Sequence, residues 1–326
     1  MSEIIEVPTG HICIMDGEHG QLEFLSLGDY GKAANLKADF LGLHDEVNGV
    51  EHQAMMPLEK KWVITISSQY GCSMGCGFCD VPKVGPGRNA TFFDIMAQVK
   101  GALDLHPEVK RAQRINLHYA RMGEPTFNDS VISSAMALAT YFEFKGWGFH
   151  PVVSTMMPRK NKNLGLFLSH WMELKNNLLE GNAGLQISIN TTDEDARQSA
   201  FNGNACTMLD IAKIVGNYQP KGRKITLNFA LTDAPIDAHW LYQLFDPDRF
   251  LCKITPMHKT RACMDSGMLT GDEASGNGYD DYYPYQKVEA ELKAEGFDVI
   301  VFVPSKEEDE SRITCGNAVL SDGAQS

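Results

Sequence analysis

From Trp62 onward, short apolar runs alternate with stretches whose apolar residues recur at helical spacing. The runs lie near Val63 to Ser67, Ile115 to Ala120, Phe149 to Thr155, Leu185 to Asn190, Ile225 to Leu231 and Lys253 to Pro256. Between them, Phe92, Ile95, Met96, Val99 and Leu103 share a helical face, and Ser130 to Phe144 is helix-forming throughout. Strands separated by helices of this kind predict a parallel sheet, here an α/β partial (β/α)6 barrel over residues 61–326. Residues 1–60 read differently. Short β-like pieces end at Asp16-Gly17 and Gly28-Asp29, predicting a small β-rich N-terminal extension. Four glycines between Gly267 and Gly278 mark a long loop, followed by a helix with Tyr285, Val288 and Leu292 on one face and Gly296 as its stop.

The composition, 43% hydrophobic and 22% charged, is that of an ordinary folded domain and excludes collagen, coiled coil and disorder. The most apolar stretch, Phe297 to Pro304, is too short to cross a bilayer, and the N-terminus lacks the blocks of a signal peptide. A cytoplasmic protein with no membrane partner is expected. The net charge of −13 repels nucleic acid unless basic residues gather locally. Three places do gather them: Lys60 and Lys61; Arg159, Lys160 and Lys162; and Lys221, Arg223 and Lys224.

Three of the eight cysteines, Cys72, Cys76 and Cys79, stand as C-x3-C-x2-C just after the first expected strand. Such clustering without a signal peptide points to metal rather than to disulfides. Zinc wants a fourth ligand, and the next cysteine, Cys206, is far downstream with no histidine in the loop. Three thiolates on an iron-sulfur cubane leave one iron with open coordination positions, so the spacing predicts a [4Fe-4S] cluster that binds S-adenosylmethionine there. Phe78, before the third cysteine, is placed to shield the cluster from water.

Further segments carry a resemblance. SSQYGCSMGCGFC (67–79), GPGRNAT (85–91), MGEP (122–125), Ser154-Thr155 and ITCGN (313–317) occur in the order of matching motifs in the radical SAM RNA methyltransferases of the RlmN and Cfr family. The similarity runs from about Val50 to Leu320. It implies a radical SAM partial barrel with [4Fe-4S] and S-adenosylmethionine as cofactors and with Cys72, Cys76 and Cys79 as cluster ligands. It implies cofactor contacts by Gly123, Glu124, Ser154, Ser188 and His258, and an external electron donor such as flavodoxin or ferredoxin.

In that family an adenine C2 or C8 carbon, too poor a nucleophile for direct methylation, is reached by a radical route. A C-terminal cysteine is methylated, hydrogen is removed from its S-methyl group, and the carbon radical adds to the base. A second cysteine then resolves the protein-RNA adduct. Cys315 matches the methyl-carrying position, and this covalent role makes it the expected catalytic residue. The resolving position, seven residues before Cys72, is Thr65 here. Arg121 replaces the glycine before MGEP, and the family's helical N-terminal extension is not recognisable. The leading expectation is therefore an RNA methyltransferase acting on an adenine carbon of rRNA or tRNA. The alternative is a radical SAM enzyme modifying a small molecule, nucleotide or peptide. Cys206, Cys252 and Cys263 are the candidate substitute resolving thiols. Tyr279, Tyr282, Tyr283 and Tyr285 are candidates for stacking on bases, and the acidic run Glu307 to Glu310 stands close to Cys315.

Overall fold

The computed structural model describes residues 1–29, 56–268, 285–302, 308 and 310–325. Tyr279, Tyr282, Tyr283, Glu307 and Asp309 lie outside the described residues. The six expected strands form: β4 Trp62–Ile66, β7 Ile115–Tyr119, β8 Phe149–Thr155, β9 Gly184–Ser188, β10 Ile225–Leu231 and β11 Phe250–Pro256. Each pairs in parallel with the next, and β12, Asp298–Val301, adds a seventh parallel strand beside β11. At the other edge β1 Glu3–Val7, β2 Gly10–Gly17 and β3 Gly20–Leu27 form an antiparallel meander. Its last strand pairs with β4, Leu25 opposite Thr65, so ten strands make one sheet. Among the described residues the sheet is open, a partial barrel. No described helix is long and apolar enough to cross a membrane.

Crossover helices α1 Phe92–Asp104, α2 Ser130–Lys145, α3 Leu164–Glu173, α4 Glu194–Ala200, α5 Met208–Val215 and α6 Ala238–Leu244 join the strands; α7 Arg261–Ser266 and α8 Tyr285–Ala294 precede β12. Local chemistry sets their ends. A capping box between Thr91 and Asp94 starts α1, and Gly146 in the left-handed region (φ 66) stops α2. One face of the strands packs on these helices: Trp62, Ile64 and Ile66, then Ile115, Leu117 and Tyr119, are almost fully buried.

Residues alternating with these point the other way. They are Thr65, Asn116, His118, Ser154, Gln186, Ser188, Asn228 and Lys253, all only partly covered. A parallel sheet covered on both faces shows near-continuous apolar strands. Here most of the alternate positions are polar, because the concave face encloses a cavity rather than a packed core.

Candidate functional site

The three cysteines occupy the loop of a small hairpin. β5, Gln69–Gly71, pairs antiparallel with β6, Pro86–Asn89, so the GPGRNAT segment is the strand that holds the cysteine loop in place. Two glycines make the close approach possible. A Cβ on Gly71 (φ +75) would stand 2.1 Å from the Gly85 carbonyl oxygen, and one on Gly87 (φ +89) would stand 2.2 Å from the Ser73 nitrogen. The loop is pinned from outside by Gly77 N–H donating to the Ala200 carbonyl at the end of α4 (2.9 Å) and by Asn204 Nδ2 donating to the Met74 carbonyl (2.8 Å). Phe78 stands edge-on to Phe201 (5.6 Å between centroids), and with Met74 and Met156 it forms an apolar cover beside Cys72 and Cys76.

All three thiols are free. Burial, reinforced by the neighbouring thiols, raises Cys76 and pushes Cys79 up to about 12; burial pushes Cys72 up to about 11. Without metal they remain protonated at neutral pH, and iron must displace those protons. Among the described residues, no three His, Cys, Asp or Glu side chains converge as ligands of one metal ion do. The donor set nonetheless fits a cluster. Thiolates on one zinc ion sit about 3.8 Å apart, whereas those of a cubane bind different irons and stand farther apart.

The MGEP turn locks onto this hairpin. Gln69 Oε1 accepts from the Glu124 N–H (3.0 Å) while its Nε2 donates to Asn89 Oδ1 (2.8 Å). Gly123 (φ +96) is required there, since a Cβ would lie 2.5 Å from that of Gln69. Glu124 is buried. Its Oε1 accepts from the Thr126 N–H (3.1 Å) and hydroxyl (2.7 Å), and its Oε2 from the Met156 N–H (3.1 Å), just past Ser154. Burial raises its carboxyl, and these donors partly offset the effect. Glu124→Gln would turn an amide NH2 toward one of these N–H groups. A loss of about 1–3 kcal/mol is expected, read as a lower urea midpoint at unchanged slope. A wild-type midpoint would show that this carboxylate braces nothing.

Cys315 reaches the same place from the other end of the chain. The Asp80 N–H donates to the Gly316 carbonyl (2.8 Å), and Thr260 Oγ1 donates to the Phe78 carbonyl (2.7 Å). The buried Asp80 carboxylate accepts from the backbone N–H groups of Arg261 (3.2 Å) and Ala262 (2.9 Å) at the start of α7, and Arg312 approaches it at 3.8 Å. A second anchor is Glu23 on β3. Its carboxylate forms a fully buried ion pair with Arg121 and accepts from the Leu320 N–H (3.1 Å). Arg121 thus has a structural partner that ties the N-terminal meander to the C-terminal segment carrying Cys315.

The concave face bounds a cavity of about 400 Å³. Cys315, Thr65, Ser154, Ser188 and His258 all line it, together with Phe78 from the cluster loop. Gly123 and Glu124 are not among its lining residues and brace the loop beside it. Sequence reasoning missed Asn116, His118, Gln186, Asn228 and Lys253, which also line it; their signal was the polar residue at alternate positions of parallel strands. Two expectations are corrected. Tyr285 is 1% exposed and packs in the core, so it cannot stack on a base. Cys206, Cys252 and Cys263 are buried and none lines the cavity; Cys252 lies on the opposite face of β11 from Lys253.

No family model matches the chain. Over 227 residues it is 40% identical to the dual-specificity RNA methyltransferase RlmN of Desulfosudis oleivorans, covering 66% of this chain and 57% of that protein. It is 29% identical over 215 residues to RlmN of Sulfurovum sp. (64% of this chain, 54% of that protein) and 28% identical over 193 residues to a probable RNA methyltransferase of Sorangium cellulosum (57% and 46%). The chain thus spans about half the length of these curated relatives. In fold it is similar to a radical SAM methyltransferase from Sphaerobacter thermophilus, with a TM-score of 0.65 at 18% identity, covering 98% of this chain and 80% of that one. In its motifs and over most of its sequence, the chain resembles the RlmN and Cfr family of radical SAM RNA methyltransferases, and it has the fold of a radical SAM methyltransferase.

Proposed function

We propose that this protein is a radical SAM methyltransferase that modifies an adenine carbon of RNA through a methyl group carried on Cys315. One observation carries the reading: Cys315, on a turn hydrogen-bonded to the cluster loop, lines the same cavity as Thr65, Ser154, Ser188 and His258. Cys72, Cys76 and Cys79 would hold a [4Fe-4S] cluster, and Gly123, Glu124, Ser154, Ser188 and His258 would hold S-adenosylmethionine. Bound together, these cofactors supply one-electron cleavage and hydrogen abstraction.

The chain's own residues prepare that chemistry. The Cys315 sulfur loses its proton as it takes the methyl group, and Lys253 lines the same cavity wall. Phe78, Met74 and Met156 exclude water from the cluster side. A cytoplasmic enzyme of this kind would draw its electrons from a donor such as flavodoxin or ferredoxin. Thr65 occupies the place of the resolving thiol, in register with Leu25 on one side and His118 on the other. A hydroxyl cannot close a disulfide, so release does not follow the family's route. This observation also favours the second reading, a radical SAM enzyme acting on a substrate other than RNA.

Protein produced with methyl-labelled S-adenosylmethionine is expected to carry label on the peptide containing Cys315 and to lose it in Cys315→Ala. With substrate present, a Cys315 adduct should accumulate, and Thr65→Cys should speed its release. Absence of label while reduced protein cleaves S-adenosylmethionine would remove the methyl-carrier role and leave the second reading.

A further inference from the structure

The chain carries a net charge of −13, yet one end of the cysteine loop is flanked by cations. After β8 the chain turns at Pro158 and presents Arg159, Lys160 and Lys162, all exposed. Main-chain bonds fix this turn on two sides. The Arg159 N–H donates to the Asn204 carbonyl (2.9 Å), and Asn204 Nδ2 in turn donates to the Met74 carbonyl of the cysteine loop (2.8 Å). Asn161 Nδ2 donates to the Thr126 carbonyl (2.7 Å), just past Glu124. The next carbonyl, that of Phe127, accepts from Asn89 Nδ2 on β6 (2.7 Å), which brings the strand bearing the exposed Arg88 up to the same turn.

Arg88, Arg159, Lys160 and Lys162 form no ion pair among the described residues, whereas Lys83, past the other end of the loop, is held by Asp80 (3.3 Å) and Asp265 (3.6 Å). Asp129, exposed at the start of α2, follows Asn128, which donates to the Ala90 carbonyl (2.8 Å), and it pairs with none of them. Cations anchored in this way around one loop of an acidic chain create a local field opposite in sign to that of the whole.

The two ends of the cysteine loop have different neighbours. At the Cys79 end the Asp80 N–H bonds to the Gly316 carbonyl (2.8 Å), which places Cys315 there. The Cys72 end faces the cations. A Cβ on Gly87 would stand 2.2 Å from the Ser73 nitrogen and 2.8 Å from the Cys72 carbonyl carbon, so the strand bearing Arg88 lies against the Cys72 backbone, and Ser73 beside it is exposed. None of the four cations lines the cavity that Cys315 lines. A substrate that reaches Cys315 enters that cavity, whereas an electron must reach the cluster from outside it. We propose that Arg88, Arg159, Lys160 and Lys162 form the docking surface of an acidic electron-transfer protein, which delivers single electrons to the cluster at the Cys72 end of its loop. This rests on the radical SAM reading above and names where its reductant binds. In each encounter the docked protein's redox group loses one electron and the cluster gains it; no bond is made or broken. Redox encounters of this kind bury little surface, and charge at the rim sets their rate of association more than their affinity.

The test uses reconstituted protein carrying its cluster and two reductants: a reduced flavodoxin of net negative charge, and photoreduced deazariboflavin, a small uncharged donor. S-adenosylmethionine cleavage is followed with each. The double variant Lys160→Glu with Lys162→Glu, and separately Arg88→Glu, are expected to slow the flavodoxin-driven rate about tenfold at low ionic strength, with the difference fading as salt rises. Cleavage driven by deazariboflavin should match the wild type in both. Lys145→Glu, on the outer helix α2, should leave both rates unchanged. A variant that is also slow with deazariboflavin is damaged in fold or cluster, and the other variant then decides. Wild-type flavodoxin-driven rates at low salt in the charge-reversed proteins overturn the proposal. So does weaker binding of a short oligoadenylate with donor rates unchanged, which gives the surface to RNA. Failure of the radical SAM reading appears separately, as wild-type protein that cleaves no S-adenosylmethionine with either donor.

Discussion

Cys72→Ala, Cys76→Ala and Cys79→Ala are each expected to leave the protein folded but without a stable [4Fe-4S] cluster, and to abolish reductive cleavage of S-adenosylmethionine. Each removes one of three thiolate ligands, and the remaining two cannot retain the cubane. The fold should survive because backbone hydrogen bonds build the loop. Cys72 N–H donates to the Gly85 carbonyl (3.1 Å), Cys79 N–H to the Cys76 carbonyl (3.2 Å) and Asp80 N–H to the Gly316 carbonyl (2.8 Å), and none of these needs sulfur. Anaerobic reconstitution followed by iron and sulfide analysis, absorbance and product chromatography checks this, with circular dichroism as the control for folding. Wild-type iron content and cleavage in any one variant would remove that residue from the ligand set.

The second large effect lies far from the thiols in sequence. Glu23→Gln leaves the Arg121 guanidinium buried beside a neutral amide, and Arg121→Met leaves the Glu23 carboxylate buried with only the Leu320 N–H. Each single change is expected to cost about 3–5 kcal/mol because an uncompensated charge stays in the interior. The double variant should recover much of that loss, as replacement of a whole buried pair by neutral groups is often close to neutral. Denaturant titration of the four proteins measures the cycle. Cys315 supplies a second readout: with Glu23 no longer holding Leu320, its alkylation by iodoacetamide should quicken while alkylation of Cys79 changes less. Single-variant losses below about 1 kcal/mol would falsify the anchoring role.

These effects show where the site takes its order. The cluster loop is local, closed by a hairpin of consecutive residues. The placement of Cys315 is not. That residue reaches the loop through Asp80, Arg312 and Glu23, which come from three distant parts of the chain.

The sequence by itself determined the parallel α/β order, the six central strands and the cysteine loop. Each of these is written in short-range periodicity or spacing, where neighbouring residues carry the whole signal. β12 escaped because four residues, Asp298–Val301, are too few to show a period. The motif order also brought out Cys315 and Thr65, although that two such distant positions face one cavity is a fact of the fold. Three matters were decided only in three dimensions. Arg121 reads as a departure from a glycine until β3 lays Glu23 against it. Cys206, Cys252 and Cys263 look available until burial withdraws them from the cavity. Lys253 looks like an ordinary surface charge until its place on the concave face of β11 turns it to the cavity. Burial, long-range charge pairing and the facing of side chains depend on which strands become neighbours, and that is settled by assembly of the whole sheet rather than by any stretch of the chain.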